Sequence, residues 1–200
     1  MKTQTTMEKA AAIFRKAARP PIFAAAFLVI LFVADPAYIG PPWQLAFGIF
    51  ALGVLPILGY PLQRFIPPFK DRGREGQRSL AMLFSFSGYA IGTIVAYIAS
   101  APARLKMIYL EYLLCGIAML VINKAFHLKA SGHACGIVGP VAMLYYFGLL
   151  IPAVIGTAII VPVFVSSIKT KQHTYPQLIG GSAIPIAVLL ILMPFFNPIL

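Results

Sequence analysis

The chain has 200 residues, of which 60% are hydrophobic and only 10% are charged. Together with a mean hydropathy of +0.88, this composition excludes a soluble globular domain and indicates an all-α, polytopic transmembrane helix bundle. The net charge of +11 does not predict a nucleic-acid partner. The lysines and arginines flank the apolar runs, where anionic lipid headgroups lie, and they form no basic stripe with interleaved aromatic residues.

The first twenty residues form a predicted N-terminal arm. They carry basic residues around a short apolar stretch, which is typical of an amphipathic segment at the membrane interface. Residues 21–200 are predicted to form a single transmembrane domain. Its first four spans are expected at residues 21–35, 43–63, 79–103 and 106–126, with a basic loop over residues 64–78.

The apolar run over residues 134–168 decides the number of spans. It carries no charge, and as one helix it would be about 52 Å long, against a hydrocarbon core of about 30 Å. We therefore expect two short helices joined by a turn near Pro152. With a last span over residues 177–195, the prediction is a bundle of about six to seven spans, and the preferred number is seven.

The distribution of basic residues supports seven spans. With this number, all of the 16 lysines and arginines except Arg104 and Lys106 fall on one side of the membrane. The positive-inside rule then predicts that the N-terminus and both histidine segments face the cytoplasm, with the cell inner membrane as the location. A single span over residues 134–168 would instead separate His133 from His173.

Polar side chains occur in two short segments that each precede a predicted helix. The first segment holds a cation, a hydroxyl, a glycine and a histidine, and the second holds a histidine followed four residues later by a glutamine. These residues are Lys129, Ser131, Gly132 and His133 in the first segment, and His173 and Gln177 in the second. Because free N–H groups at helix N-termini favour anions, the pattern suits phosphate binding.

Each of these residue types has a physical role in such a site. Lys129 supplies charge to phosphoryl oxygens, Ser131 is a favourable N-cap, and Gly132 allows a close backbone approach. The side-chain oxygen of Gln177, one helical turn after His173, is expected to hold one imidazole nitrogen. For His127 a lipid headgroup or water is a sufficient partner.

These motifs resemble those of the type 2 phosphatidic acid phosphatase superfamily of membrane lipid phosphatases. The usual family pattern is Lys-x6-Arg-Pro, then Pro-Ser-Gly-His, then Ser-Arg-x5-His-x3-Asp. Here Ala130 stands at the proline, Ser167 at the arginine and Gln177 at the aspartate, and the first motif is absent in its usual form. A variant branch has Lys-x-Ser-x-His and His-Thr-x-x-Gln, which match residues 129–133 and 173–177.

The resemblance covers about residues 64–182 and implies a metal-independent phosphatase without a cofactor. Its substrate would be a phosphorylated lipid in the bilayer, either a phosphate monoester or an isoprenoid diphosphate. In the family mechanism His173 would attack phosphorus and His133 would protonate the leaving oxygen, with Gln177 beside the nucleophile. The phosphate-binding candidates are Lys129, Ser131, Gly132, Arg74, Arg78 and Lys169, the last three as cations that replace the missing arginine.

Two other functions remain open on the sequence. A lipid-phosphate transporter or flippase would suit Glu111, which lies inside the fourth predicted span, because ionisable residues there face cavities or partners. No internal inverted repeat favours that alternative. A family member that binds lipid phosphate without hydrolysing it would suit Ser167 and Gln177.

Cys115 and Cys135 lack metal-ligand spacing and are interpreted as packing residues.

Overall fold

The computed structural model describes residues 19–125 and 129–196, and these residues form a bundle of helices without strands. The helices are α1 (Pro20–Ala34), α2 (Pro42–Phe65), α3 (Pro67–Lys70), α4 (Gly73–Ile98), α5 (Ala103–Ala125), α6 (Gly132–Tyr146), α7 (Leu150–Lys169) and α8 (Tyr175–Leu192). A 3-10 turn, Met193–Phe195, extends α8. The prediction of an all-α transmembrane bundle is confirmed. Apart from its last two residues, the predicted arm lies outside the described residues.

Five of the described helices are long and apolar enough to cross a membrane, namely α2, α4, α5, α7 and α8 with its 3-10 turn. The helices α1 and α6 have 15 residues each, or about 22 Å, which is less than the hydrocarbon core. These two short helices pack against each other, and Pro20 lies directly against Gly136. The helix α6 contacts α1, α7 and α8 and, over a smaller area, α5.

The break in the apolar run lies at Gly148, so the predicted turn near Pro152 is wrong in position. The Leu149 N–H donates to the Leu144 carbonyl at 2.9 Å, and Gly148 adopts a φ of +78°, which closes α6 with a left-handed residue. Pro152 is the third residue of α7. Proline is tolerated there because N–H groups of the first turn have no intrahelical acceptor.

The basic segment over residues 64–78 is largely helical, where the sequence predicted a loop. The side chain of Gln63 donates hydrogen bonds to the carbonyls of Phe69 and Lys70, which folds the chain back between α2 and α4. The helix α4 therefore begins at Gly73, six residues before the predicted span. It ends at Ile98, short of the predicted residue 103, because Ser100 takes a left-handed φ of +48°.

Helix direction places most cations at one end of the bundle, which we call the histidine end. It is the end at which α5 and α7 finish and α6 and α8 begin. Ten of the twelve described lysines and arginines belong to it. Arg104 and Lys106 lie at the other end, where Arg104 sits 3.8 Å from the ring centre of Tyr38 and Lys106 lies 5.3 Å from that of Tyr97.

Glu111 lies in the bundle interior with 1% of its surface exposed. Among the described residues neither of its carboxyl oxygens has a hydrogen-bond partner. A β-carbon at Gly139 would lie 3.4 Å from its Oε1 atom. The side chain therefore faces α6, and it is separated from the histidine segments by several helical turns.

Candidate functional site

The two histidine segments meet through the backbone. The Ser131 N–H donates a hydrogen bond of 2.9 Å to the backbone carbonyl of Gln177, which joins the start of α6 to the first turn of α8. Ser131 is 1% exposed. Behind this bond α8 approaches so closely that a β-carbon at Gly181 would overlap the Ser131 carbonyl. The structure therefore brings the predicted segments 129–133 and 173–177 together.

The predicted contact between Gln177 and His173 is present. The Gln177 Oε1 atom lies 3.3 Å from His173 Nδ1 and accepts the backbone N–H of Thr174 at 3.2 Å. Because this oxygen already accepts from an N–H donor, it meets the imidazole as an acceptor too, and Nδ1 carries the proton. The lone pair of His173 is thereby left on Nε2, the nitrogen that points away from Gln177.

A tight turn at the end of α7 sets the position of His173. The Ser167 carbonyl accepts the N–H groups of Gln172 at 3.0 Å and His173 at 3.4 Å, while Lys171 takes a left-handed φ of +53°. A non-glycine residue in this region stores strain, a feature often found near functional sites. The half-buried His173 follows this turn and precedes Thr174, the N-cap of α8.

Ser167 stands where the motif resemblance would place an arginine. It is 1% exposed, and its hydroxyl donates to the Val163 carbonyl one turn back in α7 at 2.8 Å. The side chain thus satisfies its own helix and offers no charge to a ligand. Any cation that neutralises an anion here must come from another residue.

The segment before α6 is held by a residue that the sequence analysis missed. The Asn123 side chain accepts the Ala130 N–H at 2.7 Å and approaches the Ala130 carbonyl at 3.5 Å. The available signal was a single side-chain amide in the apolar run of α5, within its last turn. Asn123 therefore fixes the backbone between the exposed Lys129 and the buried Ser131.

The first turn of α6 provides anion-binding groups. The Ser131 hydroxyl accepts the Ala134 N–H at 3.2 Å, as expected for an N-cap. The N–H group of Gly132 lies in the same first turn and has no acceptor within the helix. His133 is half-buried as the second residue of α6. The Gly132 N–H, with the positive end of the helix, favours a negative group.

The candidate cations are all exposed at the histidine end. Lys129 precedes α6 and Lys169 ends α7. Arg74 and Arg78 are one turn apart at the start of α4, on one helix face as predicted. However, α4 packs mainly on α2 and α5, and neither arginine has an ion pair or hydrogen bond with the described residues. Their predicted role at the phosphate stays a prediction.

Within residues 19–125 and 129–196, no group of three or more histidine, cysteine or acidic side chains is arranged to hold a metal ion. His127 lies outside the described residues.

Comparison of the chain with protein-family models, with curated proteins and with solved structures finds no match. The likeness to the phosphatase superfamily therefore rests on the motif residues.

Two adjacent glycines in α8 test the close contact that assembles this site. A β-carbon at Gly181 would overlap the Ser131 backbone, whereas one at Gly180 would make an ordinary contact of 3.8 Å with Ala130. We expect Gly181→Ala to lower the free energy of unfolding by about 1–3 kcal/mol, the usual cost of overpacking. Gly180→Ala should have little effect.

Thermal denaturation of the purified variants in detergent, followed by tryptophan fluorescence, measures the difference. Equal melting temperatures for Gly181→Ala and Gly180→Ala would contradict the close approach of α8 to Ser131.

Proposed function

We propose that the chain is a metal-independent membrane phosphatase that hydrolyses a lipid phosphate monoester or an isoprenoid diphosphate. The observation that carries the proposal is the double contact of Gln177. Its backbone carbonyl binds Ser131 and its side chain faces the His173 imidazole. Two histidines of the predicted motifs are thereby held near one pair of helix N-termini, where an anion is favoured.

In the first step, the lone pair of His173 Nε2 attacks phosphorus and forms a P–N bond. The bond between phosphorus and the lipid oxygen breaks, and its electron pair stays on that oxygen, which takes a proton from His133. The Gln177 oxygen accepts the Nδ1–H of His173 throughout and holds the ring in the required tautomer. Gln177 acts as a positioning residue.

In the second step, water attacks the phosphohistidine. Its oxygen bonds to phosphorus, the P–N bond breaks with its electron pair returning to Nε2, and His133 takes the proton that water releases. Inorganic phosphate then leaves. The reaction needs no oxidant, since both steps exchange only a phosphoryl group and protons between water, the lipid oxygen and two imidazoles, which can exchange protons near neutral pH.

The phosphoryl group requires neutralising charge during both steps. The first-turn N–H group of Gly132 supplies partial positive charge. Two exposed lysines are the proposed full charges, Lys129 just before α6 and Lys169 at the end of α7. Arg78 is the proposed additional cation, because a guanidinium binds two phosphate oxygens at once.

We further propose that the site lies at the cytoplasmic face of the cell inner membrane. The support is the concentration of described cations at the histidine end, which the positive-inside rule assigns to the cytoplasm. A lipid phosphate in the inner leaflet would then reach the site without crossing the bilayer.

One observation favours a second candidate function, a transporter or flippase for lipid phosphates. Glu111 is buried with neither carboxyl oxygen hydrogen-bonded to a described residue, as in membrane proteins that move protons or ions through the bundle. The third candidate function is a phosphatase-like protein that binds lipid phosphate without hydrolysing it, which Ser167 and Gln177 motivate. Both alternatives predict binding of lipid phosphate without release of inorganic phosphate.

Phosphate release from a panel of lipid phosphates, measured in EDTA, tests the proposal. We expect turnover by the native chain and its loss in His173→Ala, by at least about 1,000-fold, because the nucleophile is removed. Gln172→Ala alters an exposed side chain in the same turn and serves as the matched control, with activity close to native.

Full activity of His173→Ala would contradict the assigned nucleophile. Binding without any release by the native chain would favour the transporter or the non-hydrolysing alternative.

Thiol labelling of intact cells tests the proposed orientation. Both native cysteines, Cys115 and Cys135, are buried, so the background from a membrane-impermeant reagent should be low. A cysteine at exposed Ala37, at the end opposite the histidines, should react from outside. A cysteine at exposed Gln172 should react only after permeabilisation. The reverse pattern would contradict a cytoplasmic site.

A further inference from the structure

A groove opens between α7 and α8 on the membrane-facing surface of the bundle. These helices are consecutive in the chain, yet α7 packs mainly on α6, and α8 packs on α6 and α5. The space between α7 and α8 has a volume of about 600 Å³, within the usual range for small-molecule sites. Most of its lining residues are apolar, among them Val161, Val165 and Ile168 of α7 and Leu178, Ile179 and Ile186 of α8.

The polar lining groups are concentrated at one end. Lys169 and Tyr175 lie at the histidine end, on the two sides of the turn that carries His173. Farther along, the Ser182 hydroxyl donates to the Leu178 carbonyl at 2.8 Å, so it presents no unsatisfied group to the groove. The groove is therefore cationic at its entrance and apolar along its length.

The length of the groove matches one leaflet. From Tyr175 to Ile186 the helix α8 rises about 16 Å, close to half of the hydrocarbon core of about 30 Å. The groove thus runs from the membrane interface at the His173 turn to about the middle of the bilayer.

We propose that this groove binds a hydrocarbon chain of the substrate, an anionic amphiphile whose phosphate lies at the His173 turn. The argument is charge complementarity combined with continuity. Lys169 belongs to both the groove and the candidate phosphate-binding residues, and the wall of the groove begins two residues after His173. The headgroup part of this inference rests on the proposed phosphatase function, whereas the chain-binding part rests on the groove.

The free energy that a hydrocarbon chain gains by entering the groove comes from a different source than it would for a chain transferred from water. A chain that leaves the bilayer for the groove exchanges one apolar environment for another, so packing supplies the gain and the hydrophobic effect does not. We therefore expect modest selection, of about fivefold, corresponding to about 1 kcal/mol. The selection comes from the phosphate, because binding of the phosphate at the His173 turn holds its own hydrocarbon chain next to the groove.

Two exposed alanines of α8 provide a matched pair of variants. Ala183 lines the groove and Ala187, one turn farther along the same helix, does not. Ala183→Trp should fill the groove, while Ala187→Trp adds the same bulk to a surface that faces lipid elsewhere. The Ala183→Trp chain should retain its fold, because the new ring enters empty space.

Photolabelling in lipid nanodiscs tests the inference. The probe is hexadecyl phosphate with a diazirine in the middle of its chain, and the control probe is the corresponding hexadecanol. Both are used on the His173→Ala chain, which leaves the phosphate intact, and labelled peptides over residues 161–186 are quantified by mass spectrometry. We expect about fivefold more labelling by the phosphate probe, loss of this excess in Ala183→Trp, and its retention in Ala187→Trp.

Three results would overturn the inference. Equal labelling by the two probes would mean that ordinary bilayer lipid fills the groove. Equal labelling of the two tryptophan variants would mean that the chain binds elsewhere. Efficient crosslinking of two chains through a cysteine at exposed Ile179 would mean that a second copy covers the surface.

The groove and the phosphatase activity can fail independently. Selective labelling of the groove without phosphate release by the native chain would refute the phosphatase and retain the groove. Phosphate release with unselective labelling would refute the groove and retain the phosphatase.

Discussion

The candidate site depends on the hydrogen bond from the Ser131 N–H to the Gln177 carbonyl. Ser131 is almost completely buried, so an unpaired N–H there would cost about 1–3 kcal/mol. The carbonyl belongs to the first turn of α8, and the Gln177 side chain faces His173 on its other side. One residue thus connects the two histidine segments, and Gly181 allows the helices to approach closely enough for that connection.

The residues that differ from the motifs of the phosphatase superfamily, which the chain resembles, lie around this connection. A glutamine orients the imidazole of His173 through a neutral oxygen, so it stabilises an imidazolium less than an aspartate would. At the position of the usual arginine, Ser167 is bonded to its own helix. The proposed chemistry therefore relies on the helix N-termini and on the exposed lysines of the histidine end. The turn at Lys171 positions both His173 and the entrance of the groove.

Composition and local spacing predicted part of this arrangement. The all-α bundle followed from the apolar composition, the break of the run 134–168 into two helices followed from its length, and the contact between Gln177 and His173 followed from their spacing of one helical turn. These features rest on local rules that the bundle does not override. The predicted turn failed because Pro152 is also compatible with a first helical turn, and Gly148 supplied the left-handed residue that ends α6.

Contacts between distant segments were beyond the sequence. Nothing local indicated that Asn123 would hold the backbone of Ala130, or that Gln63 would fold the basic segment into a helical turn by binding the carbonyl of Lys70. The groove depends on how α7 and α8 both pack on α6, which no periodicity encodes. Such tertiary contacts determine which side chains lie close together, and the local sequence does not encode them.

Detection of the covalent intermediate tests the central claim most directly. In His133→Ala, a substrate whose leaving group needs no protonation, such as p-nitrophenyl phosphate labelled with ³²P, should still transfer its phosphoryl group. Without the base that activates water, the intermediate should accumulate. The account predicts an acid-labile, alkali-stable label that maps to His173 by mass spectrometry. Phosphate release by the native chain, with no label on His173 in this variant, would contradict it.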